Sequence, residues 1–188
     1  MDTRHVQSVE VKKVEKEIRQ SITDYKMPRY ICEILCSRYA KSFLEMTIIC
    51  ENDTYIFSYN KKNKKRLMYR DLTEVDKLQL ILTFIMINEA NRQMLIGAER
   101  YLIEPELIYT VENRTDYKSI RLLFYPDTTM TPFNIKLIRL IDKIVTKNKK
   151  KALNCFELIK EELAKNEIYR ARRIAEKHLN RALNESAV

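Results

Sequence analysis

Glycine is nearly missing from this chain: Gly97 stands alone among 188 residues, where about 7% would be usual. Walker loops, Rossmann fingerprints and the phosphate loops of kinases each need two or more glycines, because the backbone must turn tightly and come close to a phosphate. Histidine is almost as scarce. His5 and His178 lie near opposite ends and leave little for acid–base or metal chemistry. There is no Gly-x-Ser-x-Gly, no His-Glu-x-x-His and no Cys-x-x-Cys. Cys32, Cys36, Cys50 and Cys155 are even in number, yet a chain of this size buries roughly 70% of its unfolded surface and needs no disulfide staple. Cys32 and Cys36, four apart, share a helix face and read as small core residues rather than as half of a metal site. Long apolar runs are missing too. The longest, Leu78 to Ile87, has ten residues, half of the roughly 20 that a membrane-spanning helix requires. Residues 1–20 are dominated by charge, without the order of a signal peptide. These absences predict a cytoplasmic binding module with no transmembrane segment, no metal, no cofactor and no catalytic residues.

What is present is positive charge, unevenly placed. The net charge is +9. Residues 136–188 hold 14 Lys and Arg against 7 Asp and Glu, whereas the preceding 135 residues hold 21 against 19. The focus is Lys147, Lys149, Lys150 and Lys151, with Arg170, Arg172 and Arg173 further on. Such a cluster attracts an acidic protein, a nucleic-acid backbone or an anionic membrane surface. It reads equally well as a solvated turn between helices.

Apolar periodicity orders the rest. Val6 to Ile22 fit neither the helical nor the strand period, and residues 1–25 are expected to form a strand or a loosely attached arm. After Pro28, Tyr30, Ile31, Ile34 and Leu35 make a short helix stripe. Leu44 to Cys50 and Thr54 to Tyr59 alternate as paired strands around Glu51-Asn52-Asp53, good hairpin-turn chemistry. A lysine-rich loop, Lys61 to Arg66, leads to a helix from Glu74 to about Leu95, capped by Thr73 and Asp76. Leu78, Ile81, Phe84 and Ile85 place its core, and apolar residues on most sides make it the central helix. Leu107 to Val111 and Ser119 to Tyr125 form a second hairpin, closed by Pro126. Three amphipathic segments follow: Leu137 to Val145, Ala152 to Leu163, and a basic terminal helix within 166–188. The order predicts one α+β domain over 1–188, with a small antiparallel sheet, a central buried helix, a second hairpin and carboxy-terminal helices.

One stretch carries a resemblance. Tyr101-Leu-Ile-Glu-Pro-Glu-Leu-Ile-Tyr109, followed by Leu122-Leu-Phe-Tyr-Pro126, resembles an uncharacterised domain found ahead of forkhead-associated domains in Firmicutes. The same layout is similar to the pseudokinase-like cytosolic domain of the type VII secretion component EssB/YukC. The similarity runs from about Met27 to Leu163. Neither a forkhead-associated domain nor a membrane helix accompanies it in this sequence. The resemblance implies a pseudokinase-like fold. Kinases need an aspartate to orient the attacking hydroxyl, and an asparagine and a second aspartate to hold magnesium. With the family's HRDLKPEN set over Arg100 to Leu107, Pro105 and Glu106 are kept. Leu102 takes the place of the catalytic aspartate and Leu107 that of the asparagine, while the second aspartate falls at Phe124 or Tyr125.

The sequence thus leads to a non-catalytic, pseudokinase-like domain that binds another protein in a bacterial signalling or type VII secretion assembly. The alternative is a basic helical nucleic-acid-binding module using Lys147–Lys151, against which stands the lack of a helix-turn-helix signature or of aromatics interleaved with the basic residues.

Overall fold

The computed structural model describes residues 13–14, 17–23, 25–37, 39–52, 54–145 and 150–185. The chain is α+β, as expected. Strands β1 (Lys13–Val14), β2 (Glu17–Thr23), β3 (Glu45–Glu51) and β4 (Thr54–Asn60) form an antiparallel sheet in the order β1-β2-β4-β3. Helix α1 (Arg29–Cys36) interrupts the chain between β2 and β3. The predicted hairpin is present, and Asn52 takes the left-handed backbone, φ 46°, that its turn requires.

β4 is central because its side chains justify it. Tyr59, Phe57 and Tyr55 face Ile18, Gln20 and Ile22 on one flank and Met46, Ile48 and Cys50 on the other. A period of two puts all nine on one face of the sheet, where Phe57 and Tyr59 are completely buried. Ile31 and Leu35 of α1 are buried, and α1 packs on β3. Cys32 is half-buried and Cys36 exposed, so Cys36 is not the core residue its spacing suggested. One position on the apolar face breaks the pattern: Gln20 is buried, and its Nε2 has no hydrogen-bond partner.

A second sheet, β5 (Lys65–Arg66), β6 (Ile108–Thr110) and β7 (Arg121–Leu122), has the order β5-β6-β7 and is antiparallel. The expected second hairpin is therefore shorter than its alternation implied. It gains a third strand from what the sequence read as the end of a lysine-rich loop, because Lys65 and Arg66 pair with Thr110 and Tyr109. The two sheets join where Phe43 bridges Leu122: Leu44 N–H donates to Leu122 at 2.8 Å, and Leu122 N–H to Ser42 at 2.8 Å.

Helix α2 (Glu74–Gln93) is the axis of the helical part. Thr73 and Asp76 cap each other reciprocally, satisfying two amides at its start. Leu78, Leu80, Ile81, Leu82, Thr83, Phe84, Ile85 and Ile87 are buried over most of its circumference, with Met86 on the exposed strip, as a central helix requires. Helices α3 (Phe133–Ile144), α4 (Lys150–Ala164) and α5 (Ile168–Glu185) follow. α3 and α5 pack on α2, and α4 packs on both. Among the described residues no helix is long and apolar enough to cross a membrane.

Candidate functional site

The segment that resembles a catalytic loop lies between α2 and β6. Ala98–Arg100 and Pro105–Leu107 are short 3-10 turns, and proline at the start of the second fits its fixed φ. Between them the chain is extended and bound to the strand that returns through Phe124 and Tyr125. Leu102 N–H donates to Tyr125 at 2.8 Å, Leu123 N–H to Leu107 at 2.8 Å, and Tyr101 bridges Pro126. The structure therefore brings Leu102, Leu107, Phe124 and Tyr125 together. Pro105 is buried, Leu102 and Leu107 are half-buried, and Glu106 points to solvent.

Phe124 is an aromatic hub. Its ring lies 5.5 Å from Phe43, 6.0 Å from Phe57 and 6.0 Å from Tyr101, while Phe43 meets Tyr101 edge-on at 5.1 Å. Tyr59 of the first sheet donates its hydroxyl to the Phe124 carbonyl. Burial pushes the Tyr59 and Tyr101 phenols well above their ordinary range, so both serve as neutral hydrogen-bonding groups.

Two polar networks fix the segment from behind, and sequence reasoning missed both. Asn91, on the last turn of α2, donates to the Tyr101 hydroxyl at 2.9 Å and accepts from Ser42 at 2.5 Å. Lys136 of α3 meets Asp127 at 2.7 Å, with side chains 4% and 2% exposed. Its ammonium also donates to the carbonyls of Ala98 and Tyr101, at 2.7 and 2.6 Å. Burial lowers the Lys136 pKa, which Asp127 offsets in part. Burial would raise the Asp127 pKa, but hydrogen bonds from Lys136 and Thr129 outweigh it and hold the carboxyl below its usual range. No motif marks this pair: a lysine on an amphipathic helix reads as solvated, and only its apolar neighbours Leu137 and Leu140 hint at the buried face.

Of the remaining polar residues near the first sheet, Gln20 of β2 is buried, and Glu33 of α1 pairs with Arg29 of the same helix at 2.9 Å on the exposed face. Two carboxylates flank Pro105: Glu104 is bound to Lys143, and Glu106 is exposed. Among the described residues, no three His, Cys, Asp or Glu side chains are gathered in a metal-binding group.

Lys147 and Lys149 lie outside the described residues, as do the side chains of Lys150 and Lys151, whose backbone opens α4. Of the more distal basic residues, Arg172 is engaged within the fold: it pairs with Glu176 at 2.8 Å and reaches Glu89 of α2 at 3.3 Å.

Beside the loop, a cleft of about 670 Å3 opens between the end of α2 and the starts of α3 and α5. Tyr30, Leu95 and Met130 line it with their side chains exposed, Leu95 at 70%. Leu95 and Met130 have φ of 60° and 53°, a backbone that costs a bulky residue roughly 1–3 kcal/mol. Arg92 lines the same cleft and has no ion pair among the described residues.

No family model matches the chain, and no curated protein does.

Proposed function

We propose that this chain is a non-catalytic, pseudokinase-like protein-interaction domain that works in a bacterial signalling or type VII secretion assembly. The observation that carries the reading is what fills the loop. The resemblance sets Leu102, Leu107 and either Phe124 or Tyr125 against the aspartate, asparagine and second aspartate that kinase chemistry requires. The backbone around them is bound strand to strand, and Phe124 is the hub of the aromatic core. The partner is a protein because the surface beside the loop presents large apolar side chains to water, a costly arrangement that marks association sites. Leu95, Met130 and Tyr30, with Arg92, which has no ion pair among the described residues, suit a segment that brings an apolar side chain and a carboxylate.

The test is photo-crosslinking from position 95 in cells, with the same chain carrying Met130→Glu for comparison. The reading expects one predominant protein adduct, a signalling or secretion component, lost when Met130→Glu is introduced. An adduct pattern indifferent to Met130→Glu, or nucleic acid as the main product, would overturn it in favour of the basic nucleic-acid module.

A further inference from the structure

The seam between the two sheets holds a second cavity, remote from the apolar cleft. It measures about 290 Å3 and is floored by Leu35, Phe43 and Leu44. Its charged wall consists of Lys41, Lys62, Lys64 and Arg121, with Glu45 as its one carboxylate. These cations come from three places in the chain: the connection after α1, the loop between β4 and β5, and strand β7. Folding, rather than a lysine run, assembles them around one volume.

Internal pairing satisfies only part of this charge. Lys62 Nζ meets Glu45 at 2.6 Å. Lys41, Lys64 and Arg121 make no ion pair among the described residues. Arg121 is half-buried and held in place, because Nη1 donates to the carbonyls of Ile120 and Lys118 at 2.6 and 3.0 Å. Lys64 is also half-buried, and its pKa is lowered by that burial and then by the positive charges of Arg121 and Lys62. Cations gathered at partial burial repel one another and lose hydration, and an anion placed among them removes both costs. A fixed guanidinium with a fork of N–H donors suits phosphate oxygens, and lysines add point charge.

We propose that this pocket binds a compact, multiply charged anion of the phosphate or pyrophosphate class and thereby stiffens the junction of the two sheets. The volume lies at the foot of the roughly 300–1,000 Å3 range of small-molecule sites, which suits a phosphoryl group better than a whole nucleotide. An extended polyanion is a poor match, because the cations line one small cavity rather than a long track.

Calorimetric titration of the full chain with sodium pyrophosphate, and separately with inorganic phosphate, tests this at physiological ionic strength with a chelator present. One saturable site is expected, tighter for pyrophosphate if the natural ligand carries two phosphoryl groups and equal if it carries one. Lys64→Gln and Lys41→Gln should each weaken binding about tenfold, or about 1.4 kcal/mol. Lys41 is fully on the surface, so its variant leaves the fold intact. Lys177→Gln, on α5, should change nothing. Absence of saturable binding, or equal weakening by Lys177→Gln and Lys64→Gln, would overturn the proposal. The chelator separates this inference from the functional reading above: a magnesium-dependent nucleotide response would defeat that reading and leave the pocket standing.

Discussion

Lys136 and Asp127 hold the loop through a buried ion pair whose ammonium also binds the carbonyls of Ala98 and Tyr101. Both are buried, so removing one strands the charge of the other, and breaking such a pair costs about 3–5 kcal/mol. Lys136→Met is expected to lower the unfolding free energy by that amount in urea titrations; a loss below about 1 kcal/mol would show that the pair is incidental. The acid limb of stability carries the signature of Asp127. Its folded pKa is depressed, chiefly because the Lys136 and Thr129 hydrogen bonds reverse the effect of burial. An unfolded aspartate titrates near 3.9. The extra stability is therefore complete above about pH 4 and lost as pH falls through the lower folded value. Asp127→Asn should be less stable at neutral pH and decline less steeply in acid. Identical acid slopes in the two proteins would refute this account of the pair.

Among the elements, α2 bears the core. Phe84 has no exposed surface, and Phe84→Ala should cost about 3–5 kcal/mol, a large part of the roughly 5–15 kcal/mol typical of a domain. A thermal melt within a degree or two of the parent would mean that α2 is not central. This helix was legible in the sequence because its signals are local: a capping pair at Thr73 and Asp76, then apolar residues all round. The β3–β4 hairpin was legible for the same reason. β2 was expected only as a strand or arm somewhere in 1–25, because Gln20 interrupts its apolar face, and its place is set by seven pairs with β4, about forty residues away. β5 was hidden in a lysine-rich loop, since two residues carry no period. The buried Lys136–Asp127 pair, the Asn91 network and the two cavities depend on contacts between distant segments, and no spacing rule exposes those.

For the whole molecule, the proposal is a pseudokinase-like domain that binds and does not transfer phosphate. The aromatic hub at Phe124 joins the first sheet, the loop and the second sheet, so Phe124 belongs to the core. The most direct measurement is the melting temperature of the full chain with ATP and magnesium, against ATP with a chelator. A nucleotide held through magnesium at 100 times its Kd would add about 2.7 kcal/mol, or about 5–10 °C for a chain of this size. The account predicts that the two melts coincide. A rise of several degrees with magnesium, abolished by the chelator, would contradict it.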